Sequence, residues 1–108
     1  MTKLDVITTI GDVLTDIDTV LSSPELDPSS PEWHQLFALR KHLDDLQREI
    51  VRNMFQEDDQ GFQDLAQKIK VQSDKMQQVG HDIAEIGTII QTVSSIASGA
   101  DQLLGVLK

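Results

Sequence analysis

The stretch that decides the fold is FQDLAQKIKVQSDKMQQVGHDIAEIGTIIQTVSSIASGADQLLGVL, residues 62–107. When it is read from Phe62 in alternating steps of three and four residues, all positions but one are apolar, as in a coiled-coil helix. The positions are Phe62, Leu65, Ile69, Gln72, Met76, Val79, Ile83, Ile86, Ile90, Val93, Ala97, Ala100, Leu104 and Leu107. The pattern predicts a long C-terminal helix over about 62–107, which extends ~69 Å if it is continuous.

The two flanks of this apolar row differ in size. One flank is small throughout, with Ala66, Ser73, Gly80, Gly87 and Ser94, whereas the other carries large aliphatic residues in its second half. Such a widened face is typical of a helix that packs against more than one partner. We predict a packing or interaction face made of Ile83, Ile86, Ile89, Ile90, Val93 and Ile96. We also predict a small flank for close packing, made of Gly80, Gly87 and Ser94.

Two earlier helices complete the expected fold. Apolar rows predict helices over about 3–21 and 31–56, separated by a proline-rich linker over about 22–30. Ser30 is suited to the N-cap and Pro31 to the first helical position. Because no stretch carries a strand or hairpin signal, we predict a single all-α domain. Its form is an elongated helical hairpin or a three-helix bundle.

The sequence does not determine what packs over the apolar C-terminal segment. In a continuous long helix, the first helix would lie in line with the second and cover this segment. A break near Gly80 or Gly87 would instead produce a compact bundle of three or four helices, since each glycine costs a helix about 1 kcal/mol relative to alanine. Self-association into a homo-oligomer is the third alternative.

Charge and composition exclude several function classes. The 108 residues carry 9 basic and 18 acidic side chains, a net charge of −9. Nucleic acids and anionic membranes prefer a basic surface, so the expected partner is a protein, and a basic protein suits this charge. The chain lacks cysteine. The acidic N-terminal segment does not resemble a cleaved signal peptide, which predicts a cytoplasmic protein and leaves open secretion without signal cleavage.

No sequence motif indicates catalysis. His81 and Glu85 are four residues apart and could supply two metal ligands, but a closed zinc site needs four. The chain lacks a glycine-rich phosphate loop, a nucleophile elbow and carboxylate pairs within apolar runs. We therefore predict a non-enzyme without a cofactor.

A proline-punctuated stretch resembles a known secretion component. LDPSSPEWHQLFALRKHLDDLQ, residues 26–47, resembles the break between the two helices of type III secretion needle subunits. Those small self-assembling proteins are helical hairpins with an apolar C-terminal helix. The resemblance covers about a fifth of the chain, and the remainder does not match.

These observations lead to two functional expectations. The first is an acidic helical interaction module of the adaptor, chaperone-like or immunity type. The alternative is a self-assembling or membrane-acting component of a bacterial secretion or toxin system. Membrane contact is the weaker expectation because the uncharged run Ile86 to Ala100 is shorter than the ~20 residues that span a bilayer.

Overall fold

Four α-helices make up most of residues 1–106, which are the residues that the computed structural model describes. They are α1 (Lys3–Leu21), α2 (Pro31–Arg52), α3 (Gln60–Val79) and α4 (Ile86–Gly105), and a 3₁₀ turn (Ile83–Glu85) leads directly into α4. Within these described residues there is no strand. The predicted all-α fold class is confirmed. Leu107, the last residue of the apolar row, lies outside the described residues.

Side-chain caps set where the first three helices begin. The Thr2 hydroxyl accepts the Asp5 N–H at 3.1 Å, and the Asp5 carboxylate accepts the Thr2 N–H at 2.8 Å, which forms a capping box. Ser30 is the N-cap of α2 and Pro31 is its first residue, as expected from the sequence. Asp59 caps α3 by accepting the Phe62 N–H. These bonds satisfy backbone donors that the first turn of a helix leaves unpaired.

The sequence pattern predicts one helix over 62–107, whereas the structure has two helices that are separated at Gly80. This glycine has φ 69° and ψ −141°, a conformation essentially restricted to glycine. Its N–H donates to the Met76 carbonyl and ends α3, and the Asp82 carboxylate then accepts the Ala84 N–H and starts the 3₁₀ turn. Gly87, the other break position considered, lies inside α4.

The four helices form two antiparallel hairpins, α1/α2 and α3/α4. Across the bundle α1 packs on α3 and α2 packs on α4, so that α1 and α4 occupy diagonal corners, as do α2 and α3. Of the arrangements that the sequence left open, the structure has the compact four-helix bundle broken near Gly80, and the first helix does not cover the C-terminal segment. The reversal at Gly80 returns α4 along α3, where α2 and α3 cover it.

One end of the bundle is crossed by the linker between α2 and α3, residues 53–59, and we call it the linker end. The Lys3 ammonium donates to the carbonyls of Val51 and Asn53, both at 2.7 Å, and so joins the start of α1 to the end of α2. The Gln63 side-chain amide donates to the carbonyls of Met1 and Glu57. These bonds fix the start of α1, the linker and the start of α3 in one arrangement.

Candidate interaction surface

The interaction face predicted from sequence lies mainly inside the bundle. Ile89, Val93 and Ile96 are 0% exposed and belong to the core. The other three members, Ile83, Ile86 and Ile90, are partly buried and pack against that core. A second molecule could reach the three buried members only if the bundle opened. The three buried members therefore pack within the chain, and the other three line the edge of the core.

The predicted small flank does not mediate close helix packing. Gly80 ends α3, Ser94 is exposed, and a methyl group on Gly87 would meet no atom within 4 Å. The close approach occurs instead at Gly99, where a Cβ atom would lie 3.1 Å from Ile69 Cγ1. Sequence reasoning missed Gly99. The available signal was its position three residues after Ile96 and four before Leu103, both of which are core residues.

Exposed apolar side chains are concentrated at the linker end. Six large apolar residues are exposed among residues 1–106, and four of them lie at this end. Met54 is 88% exposed, Leu4 69%, Val51 52% and Val106 42%. We call these four residues the linker-end patch. Because they come from α1, α2, the linker and α4, their grouping is a product of the fold.

The patch includes an open cavity of about 480 Å³. It is lined by Met54, Phe55, Gln56, Asp59, Phe62 and Val106. Phe62 is almost fully buried, and its ring centroid lies 5.5 Å from that of the half-buried Phe55. A concave site with an apolar aromatic lining and a few polar groups at its margin is the usual form of a binding pocket.

Acidic residues surround the linker-end patch. Glu57, Asp58 and Asp59 are consecutive and exposed, and Asp5 is exposed on the first turn of α1. The backbone N–H of Thr2, followed by its hydroxyl, lowers the pKa of Asp5 below the ordinary value of 3.8. Two cations lie at the same end: the Lys3 ammonium, which is bound to two backbone carbonyls, and the Met1 ammonium, which donates to Gln63. Since four carboxylates face these two cations, the margin of the patch has a net negative charge.

The other exposed apolar residues are isolated from this patch. Phe37 stacks on Trp33, with ring centroids 5.1 Å apart, near the start of α2 at the opposite end of the bundle. Val71 is 51% exposed on α3, beside a groove of about 690 Å³ that is lined mostly by polar and small residues. The groove beside Val71 carries charges of both signs, from Asp64 and Lys68, whereas the linker-end cavity is lined by the carboxylate Asp59 and by two aromatic rings.

Two of the histidines each contact one carboxylate on another helix. His81 Nε2 lies 3.2 Å from an Asp16 carboxylate oxygen on α1, and His42 Nε2 lies 3.4 Å from one of Asp101 on α4. Each contact joins one hairpin to the other. No group of three His, Cys, Asp or Glu side chains that could hold a metal ion occurs in residues 1–106.

Two further findings bear on the function classes. Over the part of the chain that the structure describes, no helix combines the length and the apolarity required to cross a membrane. The chain matches no family model, and it has no significant match among curated proteins or solved structures.

Proposed function

We propose that this protein is a non-enzymatic interaction module that binds a protein partner through its linker end. The observation that carries the proposal is the concentration of exposed apolar residues there, with Met54 88% exposed beside a cavity. Two of these residues, Met54 and Val106, line the same cavity, and exposed apolar groups with a polar margin are characteristic of interaction sites on soluble proteins.

Charge favours a partner that differs from the protein itself. The chain carries a net charge of −9, and the margin of the patch includes three consecutive carboxylates, Glu57, Asp58 and Asp59. Two copies that met through this end would bring like charges together at short distance, which is unfavourable. A partner with a neutral or basic surface avoids this repulsion.

The alternative of a self-assembling or membrane-acting component rested on the aliphatic C-terminal segment. The largest residues of that segment contribute to the bundle core, since Ile89, Ile96 and Leu103 are all 0% exposed. Their burial explains the aliphatic composition without assembly or lipid. The interaction module is therefore the better supported function.

Site-specific photo-crosslinking tests the proposal. Benzoylphenylalanine in place of Met54 should give one discrete adduct in cells of the source organism, and the same group in place of Val71 should not. The identified partner is then purified and titrated against Val51→Ser and Val71→Ser, which remove the same side chain at 52% and 51% exposure.

We expect Val51→Ser to weaken binding at least fivefold, because it removes apolar surface within the interface. Val71→Ser should change the affinity less than twofold. Equal crosslinking from both positions, or equal affinities of the two variants, would contradict the proposed function. Adducts formed only between copies of the chain would replace it with self-assembly.

A further inference from the structure

We infer that the element bound at the linker end is a basic amphipathic segment of the partner. One apolar anchor of this segment occupies the cavity between Met54, Phe62 and Val106, and Lys or Arg side chains beside the anchor meet Glu57 and Asp58. The inference rests on the proposed function and specifies the chemistry of the partner.

The anchor follows from the shape and lining of the cavity. Phe62 provides a rigid buried floor, whereas Met54 and Val106 form exposed walls. Methionine has three rotatable bonds and a polarisable sulfur, so it adapts to apolar side chains of different shape. The cavity is therefore suited to one large aliphatic or aromatic side chain.

The basic character follows from the fixed carboxylates at the margin. The Glu57 carboxylate accepts the backbone N–H of Lys3, and the Asp59 carboxylate accepts the Phe62 N–H at 3.2 Å. Asp58 is exposed between them. Since two of the three carboxylates are held by backbone donors, their charges have defined positions at the linker end, and Asp59 lines the cavity itself. Complementary cations fix the register of a bound segment and increase its association rate.

An amphipathic helix is the form of segment that matches this surface. Such helices present apolar side chains at positions i, i+4 and i+7 on one face and charged residues on the other. The linker-end patch offers further apolar contacts at Leu4 and Val51, which are on the first turn of α1 and the last turn of α2. An anchor in the cavity and a second contact on this corner would orient the segment.

Three synthetic 14-residue peptides test the inference. The first has Leu at positions i, i+4 and i+7 and Lys on the opposite face, the second has Gln for every Lys, and the third has Ser for every Leu. Each is titrated into the ¹⁵N-labelled full chain at 0.05 M and 0.3 M salt. We expect the Lys peptide to bind at least tenfold more tightly than the Gln peptide at low salt. This ratio should fall at high salt because exposed charges are screened.

The largest amide shifts should lie in residues 51–62 and 103–106. The Ser peptide should not bind at this end. Glu57→Gln/Asp58→Asn should weaken the Lys peptide about tenfold and leave the Gln peptide unchanged. Glu25→Gln/Glu32→Gln, which removes the same charge from exposed positions near the opposite end, should change either affinity less than twofold.

The outcomes separate this inference from the proposed function. Equal binding of the Lys and Gln peptides at the linker end would overturn the basic partner and leave the interaction function standing. Shifts spread over other faces, or equal losses in the two charge variants, would show general attraction to an acidic protein and also overturn the inference. Absence of peptide binding at this end overturns it too, and if the Met54 crosslinks are also absent, the proposed function is overturned with it.

Discussion

Gly99 lies where α4 packs closely on Ile69 of α3, and replacing it with alanine tests this packing directly. The expected Cβ position is 3.1 Å from Ile69 Cγ1 and 3.8 Å from Ile69 Cδ1. Carbon atoms in favourable contact lie about 3.5–4.0 Å apart. Gly99→Ala therefore requires a displacement of a few tenths of an ångström by Ile69 or by one of the helices.

The sign of the effect depends on two opposing contributions. Alanine in a helix interior is more stable than glycine by roughly 0.5–1 kcal/mol. Against this, Ile69 is fully buried and β-branched, so its χ1 has essentially one rotamer in a helix and cannot rotate away. Overpacking of this kind costs typically 1–3 kcal/mol. We expect a net loss of about 1 kcal/mol, which lowers Tm by roughly 4 °C in a domain of this size.

Gly87→Ala provides the matched control within the same helix. Its methyl group would meet no atom within 4 Å, so only the helix propensity contributes. We expect a gain of at most about 0.5–1 kcal/mol, because Gly87 is the second residue of α4 and the full propensity difference applies to helix interiors. Urea denaturation of both variants measures the two changes, which should have opposite signs.

A double-mutant cycle with Ile69→Ala isolates the contact. Ile69→Ala alone should cost about 2–5 kcal/mol because it leaves a cavity in the core. In that background Gly99→Ala should be stabilising, which gives a coupling energy of roughly 2 kcal/mol. If Gly99→Ala stabilises the wild-type chain as much as Gly87→Ala does, or if the coupling is near zero, the close contact with Ile69 does not limit the packing.

Four further predictions concern single substitutions. Gly80→Ala should lower stability in urea by about 1–3 kcal/mol, because its conformation is essentially restricted to glycine. Ile96→Ala should cost about 2–5 kcal/mol by the same assay. Ile90→Asp should lower Tm while light scattering shows an unchanged mass, since Ile90 packs on the core of its own chain; a change in mass at constant Tm would contradict this. The Asp5 hydrogen bonds with Thr2 lower the pKa of Asp5 below 3.8, so their stabilisation is present above that value and is lost as pH falls through the lower folded pKa. Asp5→Asn should therefore lose less Tm than the wild type as the pH falls from above 3.8 through the lower folded pKa.

The apolar rows predict local structure well because a helix must bury one face wherever it packs. Phe62, Ile69 and Met76 come from the predicted row and are buried in α3, and Val93 and Ala100 continue the row in α4. The apolar row itself does not indicate where the helix breaks. Two antiparallel helices that each bury one face have apolar residues at the same spacing as one long helix. A glycine within a helix costs about 1 kcal/mol relative to alanine, which is too little to distinguish one long helix from two shorter ones.

Burial of apolar surface over the whole chain favours two antiparallel helices over one long helix. A continuous helix of ~69 Å would need the first and second helices placed end to end to cover it, with each packed on one side only. The reversal at Gly80 gives every helix two packing neighbours, and so buries both the apolar row and its enlarged flank. Ile89 and Ile96 lie on that flank and are 0% exposed. This gain depends on contacts between distant segments, which a row within one helix does not contain.

The linker-end patch could not be predicted because it is a consequence of the connection between the hairpins. Helices in contact lie about 8–10 Å apart, so α2 and α3 at diagonal corners are separated by about 11–14 Å. Residues 53–59 can span up to roughly 23 Å when extended and cross the end of the bundle directly. A segment that crosses the ends of four helices contacts the hydrophobic core with one face, and its other face is exposed to solvent. Phe55 turns inwards against Phe62, whereas Met54 projects outwards and is 88% exposed. The diagonal crossing therefore both closes the core at this end and leaves the exposed methionine and the consecutive carboxylates on its outer side, where a partner can reach them.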